Sequence, residues 1–228
     1  MPTLRVASYN TRDFLDDRAA AARVVRAIAP DVLCLQEVPR RLFAGIRVRR
    51  FARECGMQWA DHHRGSGGTA IFTSLRVEVG ESRHFRLRVR LAQRRRGFAL
   101  ARVVVAGAAP VAVASVHLSL RADERLAHAR IILGAVGDTP AILCGDLNEE
   151  ASGAAWQLVA SGMRMVGPTA PTYPARAPRR LLDVIFVSPG LAALPHREAP
   201  VHPDDILAAS DHRPVWADIR LDPAPTPA

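Results

Sequence analysis

Eight side chains in this 228-residue chain are of the types that hydrolyse a phosphate ester: Asn10, Glu37, His117, Asp146, Asn148, Asp183, Asp211 and His212. Carboxylates, amides and water are the donors that Mg²⁺ and Mn²⁺ prefer, so an oxygen-rich set centred on Glu37 suits Mg²⁺, with Mn²⁺ as its substitute. Zinc suits it less: the chain has no HExxH, and Cys34, Cys55 and Cys144 lack CxxC spacing. A bound metal would neutralise charge on the phosphoryl oxygens and help the leaving oxygen depart. An Asp–His pair would deprotonate or orient the attacking water, while amides and a second His hold the phosphate.

Each residue also has an ordinary structural reading. Asn10 and the run Gly145-Asp146-Leu147-Asn148 suit turns. Glu37, two residues before Pro39, could be a surface charge, and His117 a satisfied core histidine. Asp183 could cap a turn, and Asp211-His212-Arg213 could be a solvated loop. What argues for chemistry is that these residues bracket short apolar runs, one after another along the chain.

Those runs are the elements that must position the set. Leu4–Asn10, Asp31–Val38, Val111–Leu120, Ala141–Cys144 and Leu181–Val187 read as strands, as do Thr69–Ser74, Phe98–Gly107 and a final segment ending near Leu221. Strands that are apolar on both faces belong inside layered α/β structures, where ligands bind at strand ends. Helices are expected over 17–29, 39–55, 121–136 and 151–162, and a Pro-rich loop over 165–180. No linker or composition break divides the chain. One catalytic domain over 1–221 is expected, followed by a flexible Pro/Ala-rich tail at 222–228.

Composition narrows the partner. Hydrophobic residues make up 49% of the chain and aromatics 5%, so the core must lean on Val, Leu, Ile and Ala. All 31 basic residues are Arg; against 22 acids they give a net charge of +9, which favours anionic partners. Arg86, Arg88 and Arg90 alternate with Leu87, Val89 and Leu91, as in a half-exposed strand with one cationic face. That face is either a phosphate-backbone track for DNA or a charged edge strand. Arg94, Arg95 and Arg96 are read as a turn. The arginines at 40, 41, 47, 49, 50 and 53 are read as a solvated helix face. The glycines at 65, 67 and 68 have the spacing of neither common nucleotide-binding motif. With no signal-peptide pattern and no apolar run of membrane-spanning length, a cytoplasmic monomer with reduced, buried cysteines is expected.

The motifs in order resemble the endonuclease/exonuclease/phosphatase superfamily. They are Ser8-Tyr9-Asn10, Leu35-Gln36-Glu37-Val38, Ser115-Val116-His117-Leu118, Gly145-Asp146-Leu147-Asn148, Thr172-Tyr173-Pro174, Leu182-Asp183-Val184-Ile185 and Ser210-Asp211-His212-Arg213-Pro214-Val215. The resemblance implies an α+β fold of deoxyribonuclease-I type: a four-layer α/β/β/α sandwich with two mainly antiparallel sheets packed face to face. It implies metal ligation by Glu37, assisted by Asn10 and Asp211. His212 paired with Asp183 would activate water or stabilise the transition state, and Asp146 would orient or deprotonate the nucleophile, leaving the general base open between Asp146 and His212. Asn148 would position the phosphate, and His117 would contact it or protonate the leaving group. The implied reaction is Mg²⁺-dependent hydrolysis of a phosphodiester, DNA being the favoured substrate and a small phosphorylated metabolite, inositol or lipid headgroup the alternative. Arg12 stands where family members acting on abasic DNA often carry Asp, Val184 where an aromatic or His is common, and Leu181 where Arg is frequent.

Overall fold

Alternation along the strands decides which residues meet in the middle of this molecule. The computed structural model describes residues 1–60, 65–90 and 94–224. The first half comprises β1 (Thr3–Asn10), a turn at Arg12–Phe14, α1 (Arg18–Ile28), β2 (Val32–Gln36), α2 (Ala44–Glu54), β3 (Gln58–Trp59), β4 (Ala70–Thr73), β5 (Val77–Leu87) and β6 (Arg96–Val105). There follow β7 (Val111–His117), α3 (Ala122–Val136), β8 (Ala141–Asp146), α4 (Ala154–Gly162), β9 (Arg164–Val166), β10 (Asp183–Val187), β11 (Ala192–Ala193), α5 (Pro203–Ala209) and β12 (Val215–Arg220).

The strands form two six-stranded sheets, ordered β11-β12-β1-β2-β4-β3 and β5-β6-β7-β8-β10-β9. Each sheet has one parallel pair, β1 with β2 and β7 with β8, and is otherwise antiparallel. The expected α+β sandwich is therefore present. Leu4, Val6, Val32, Cys34, Val111, Val113, Ile142, Cys144, Ile185 and Val187 pack between the sheets. Their strand neighbours Ala7, Tyr9, Leu33 and Leu35 pack instead under α1 and α2. In the second sheet Ala114, Val116, Leu143, Val184 and Phe186 pack under α3 and α4. Period-two alternation thus gives helices, sheet, sheet, helices.

Following the inward positions toward one edge of the sandwich, the side chains change from apolar to polar. In β1 the order is Leu4, Val6, Ser8, Asn10; in β2 Val32, Cys34, Gln36; in β7 Val111, Val113, Ser115, His117. In β8 it is Ile142, Cys144, Asp146, and in β10, run backwards, Val187, Ile185, Asp183. A belt of hydrogen bonds marks the change: Ser8 Oγ to Gln36 Oε1 at 3.3 Å, Gln36 Nε2 to Ser115 Oγ at 3.4 Å, and Ser115 Oγ to the Leu35 carbonyl at 2.9 Å. Buried polar groups are tolerated there because each finds a partner.

Several sequence expectations change. The helix expected from Pro39 begins only at Ala44, because Phe43 has φ +58° and breaks the helical path, leaving Arg40 and Arg41 in the preceding turn. The Arg86/Arg88/Arg90 strand face is not there. β5 ends at Leu87, the Arg88 carbonyl is 2.8 Å from His128 Nε2, and Arg90 turns toward α3, its amide donating to Glu124 and its guanidinium to Asp123. Leu91, the last residue of that pattern, lies outside the described residues. Arg96 is not in a turn; it opens β6 and is buried. Helix α5 is not among the expected helices; Pro203 at its first turn, the His202 side-chain cap and two acids begin it. Residues 222–224 are tied to the β6–β7 turn, with the Ala109 amide donating to the Asp222 carbonyl and the Ala224 amide to the Gly107 carbonyl; 225–228 lie outside the described residues. All three cysteines are free and buried. Among the described residues no helix is long and apolar enough to cross a membrane.

Candidate active site

The polar edge is where the chain leaves β1, β2, β7 and β8, and three of those exits are left-handed without glycine. Glu37 has φ +52°, Asn148 +50°, and Arg12, Asp13 and Phe14 have +46°, +59° and +53°. Backbone of this kind is sparsely populated by non-glycine residues and concentrates at functional sites. Gly145 is needed for a different reason: a Cβ there would lie 2.0 Å from the Val116 carbonyl oxygen. Its absence lets β8 lie tight against β7. His117 is then the register partner of Asp146, and Asp146 of Asp183, so three ionisable residues stand in a row across three adjacent strands.

These residues form the floor of the site, and Asp183, Asp146, His117 and His212 are all buried. Asp183 Oδ2 accepts from His212 Nδ1 at 2.8 Å and from Thr172 Oγ1 at 2.6 Å. The Thr172 hydroxyl in turn accepts from the amides of Leu182 and Asp183, both at 3.2 Å. His212 is held from behind as well: its amide donates to Ser210 Oγ, whose hydroxyl donates to the Asn10 carbonyl at 2.7 Å, and Tyr173 packs on its ring with centroids 4.8 Å apart. The other imidazole nitrogen, Nε2, lies 3.8 Å from Asp146 Oδ2, and His117 Nε2 lies 3.5 Å from the same oxygen. Asn10 Nδ2 donates to Asp146 Oδ2 at 3.1 Å, and the Asn148 amide to Oδ1 at 2.8 Å. The Asn148 side chain points elsewhere, donating to the Leu118 carbonyl at 3.0 Å.

The electrostatics separate the two histidines. For His212, burial is the largest single influence and opposes the imidazolium. The charge and hydrogen bond of Asp183, with Asp146 and Asp211 behind them, outweigh it and push the group up to about 10. His117 goes the other way, well below the usual imidazole range, because of burial first and then the cationic Arg96 and His212. Burial, reinforced by Asp183, raises Asp146 to about 6 against the pull of His212, the Asn148 amide and Asn10.

Above the floor sits the mouth. Glu37 Oε1 lies 3.9 Å from His117 Nε2, and Glu37 Oε2 accepts from Arg94 Nη1 at 2.9 Å. Asn10 Oδ1 accepts from the Arg12 amide, and Asp211 Oδ2 is 3.4 Å from Arg12 Nε. Among the described residues one group of acids and histidines is close enough to share a metal. Asp146, Asp183 and His212 offer ligand atoms within 4.8 Å of one another. In that set, however, the Nδ1 of the only imidazole is already committed to Asp183. Glu37, Asn10 and Asp211, the ligands the resemblance implies, offer the oxygen donors a hard divalent cation prefers; here the Glu37 and Asp211 carboxylates each face a guanidinium, of Arg94 and Arg12. Beside the mouth opens a cleft of about 860 Å³ lined by Arg40, Phe43, Ile46, Arg86, Arg95 and Arg96, among others. Arg40 is thus part of a cleft wall instead of a solvated helix face.

Sequence reasoning left out several supports. Thr172 was visible only as part of a tripeptide. Arg94 and Arg96 were submerged in an arginine run. Glu149 carried no signal of its own: its carboxylate accepts from the amides of Ala155 and Trp156, starting α4, and from Arg125 Nε.

A two-sheet sandwich with acids, amides and histidines gathered at the edge where its central strands exit defines a hydrolase of phosphate esters. The Endonuclease/Exonuclease/phosphatase family model matches residues 7–212, and the chain belongs to that family of metal-dependent phosphoesterases. No curated protein sequence matches it significantly. Among solved structures it is similar to an endonuclease/exonuclease/phosphatase from Beutenbergia cavernae, at 23% identity and TM-score 0.77, covering 100% of this chain and 74% of that one. It is also similar to the human Nocturnin catalytic domain with bound sulfate, at 20% identity and TM-score 0.71, covering 96% and 95%. A mannosyl-6-phosphatase from Bacteroides thetaiotaomicron matches at 19% identity and TM-score 0.72, covering 96% and 100%. Identities this low carry the fold and leave the substrate open.

Proposed function

We propose that residues 1–221 act as one catalytic domain, a Mg²⁺-dependent phosphodiesterase that hydrolyses its substrate by direct, in-line attack of water. The observation that carries this reading is the Asp183–His212–Asp146–His117 floor lying directly under Glu37. Glu37, with Asn10 and Asp211, would hold the Mg²⁺, which when bound supplies charge neutralisation at the phosphoryl oxygens. Asp146 orients the water and takes its proton; its Oδ2 accepts from Asn10 Nδ2 at 3.1 Å, with the Nε2 atoms of His117 and His212 3.5 and 3.8 Å away. Asp183 fixes the ring of His212 through Nδ1, leaving Nε2–H to donate to a phosphoryl oxygen. His117, held neutral by burial and by the cationic Arg96, contacts the phosphate, and Asn148 shapes the phosphate seat through its backbone turn.

A nucleic-acid diester is a second reading of the substrate. It is favoured by the arginines lining the cleft, Arg40, Arg86, Arg95 and Arg96, and no longer by an Arg86/Arg88/Arg90 track. The decisive experiment compares bis(p-nitrophenyl) phosphate with p-nitrophenyl phosphate, each with Mg²⁺ and with EDTA. Mg²⁺-dependent turnover favouring the diester is expected. Turnover in EDTA, or preference for the monoester, would overturn the reading.

A further inference from the structure

Large apolar side chains on the surface of this molecule are unevenly distributed. Among the described residues eight are exposed, and five of them lie on the segments that follow β1, β2 and β7: Leu15 (67% exposed), Leu42 (84%), Phe43 (73%), Ile46 (65%) and Leu120 (68%). β1 and β2 run parallel, as do β7 and β8, and the Asn10–Asp146 and Gln36–Ser115 contacts join the sheets at those strand ends. All three segments therefore leave from the catalytic edge of the sandwich. The remaining three, Met1, Leu75 and Ile131, are at the chain start, the turn after β4 and the middle of α3.

The densest part is the entry to α2. That helix turns Val48, Phe51 and Ala52 into the core, so Ile46 faces outward, next to the exposed Leu42 and Phe43 of the preceding turn. Cations surround this patch. Arg41 is exposed, and its side chain has no ion-pair partner among the described residues; Arg40 borders the patch, donating to the Gly67 and Arg95 carbonyls, and Arg50, paired with Glu54, and Arg53 continue the outward face of α2. Single exposed apolar side chains on a surface need no explanation, but three within five residues beside arginines and an active-site mouth do.

We propose that this edge docks on an anionic lipid surface, with Leu42, Phe43 and Ile46 entering the headgroup–acyl boundary and the neighbouring arginines meeting acidic headgroups. Apolar insertion combined with cationic attraction is how helices that lie on membranes bind them. Nucleic acid fits the patch less well. Its backbone would engage the arginines, and Phe43 could stack on a base, but the aliphatic tips of Leu42 and Ile46 would gain nothing from it. Docking through this edge would bring a headgroup phosphodiester to Glu37, and in that respect the inference rests on the phosphodiesterase reading; the docking itself does not need metal or turnover.

The test is flotation of the full chain, in EDTA, with vesicles of phosphatidylcholine alone and of phosphatidylcholine mixed with phosphatidylglycerol. Partition should be about tenfold or more greater on the anionic vesicles. It should fall by about tenfold or more in the Leu42→Ser/Phe43→Ser/Ile46→Ser variant, with the circular-dichroism spectrum and melting curve unchanged, since all three side chains are exposed. A wild-type chain that stays with the solvent, or a variant that floats like wild type, overturns the docking. So does a variant whose vesicle binding persists while its duplex-DNA binding is lost, which would make the patch a nucleic-acid surface. The chromogenic diester assay above judges the reaction separately, so docking without turnover and turnover without docking are distinguishable results.

Discussion

His212 and Arg94 serve the same mouth and are held in different ways. His212 is buried, its Nδ1 bonded to Asp183, its amide to Ser210 and its ring covered by Tyr173. Arg94 is more than half exposed and makes its ion pair with Glu37 across the opening. In the floor Asp183 fixes His212, and Asn10 and the Asn148 amide fix Asp146, in surroundings of low dielectric where such bonds are strong. The rim is made of long cationic and apolar side chains, most of them exposed and few of them bonded to the floor. The contrast separates what the enzyme does to a phosphate from where that phosphate comes from.

Removing one group from each region is the widest test of that contrast. His212→Ala should lower turnover of the chromogenic diester by about 10²–10⁴-fold while the melting curve shows a folded chain. Arg94→Ala should change it by less than about tenfold, since exposed ion pairs contribute little. Comparable losses in the two variants would erase the distinction between floor and rim.

A second test reads the floor without catalysis. In the metal-free chain the His212 imidazole, followed by NMR, should stay protonated up to about 10, because the attraction of Asp183, Asp146 and Asp211 exceeds the opposing effect of burial. Its folded value lies above the unfolded value of about 6.5. The stabilisation from the protonated ring is therefore fully present below about pH 6.5 and is lost as pH rises through about 10. Asp183→Asn should bring the titration down toward the ordinary range; an unchanged titration would remove Asp183 as its cause.

The smallest expected effect belongs to the boundary between the regions. Glu37→Gly takes a side chain off a left-handed backbone position, so the folded chain should gain about 1 kcal/mol in chemical denaturation. The same variant should lose Mg²⁺-dependent turnover. A loss of stability would mean that the Glu37 carboxylate holds the mouth together instead of bearing strain for function.

The floor was legible in the sequence because its residues interrupt an otherwise apolar alternation. Asn10, His117, Asp146 and Asp183 each fall at the polar end of an apolar strand, and period-two reading finds them. The β-sandwich came from the resemblance of the ordered motifs to the family, the apolar runs by themselves giving only strands within a layered structure. The rim was not legible, because its logic is not periodic. Arg86, Arg88 and Arg90 alternate like a strand, yet β5 stops at Leu87 and Asp123 and Glu124, more than thirty residues away, claim Arg90. Phe43 ends the helical path upstream of Ala44 through a single dihedral that no pattern announces. Thr172 matters only because its hydroxyl reaches Asp183, a contact the loop creates.

The alternation that fills the space between the sheets also constrains how this gene can change. Because the site residues are the last inward positions of core strands, deleting or inserting one codon within β1, β7 or β8 would turn the terminal residue from the inter-sheet space to the helix side. A two-codon change would keep the facing but move the group roughly 7 Å along the strand, beyond reach of its partners. Length variation among descendants of this chain should therefore be confined to the connecting segments, the same segments that carry the arginines and exposed leucines, so that its contacts with the outside can diversify by insertion while its chemistry cannot.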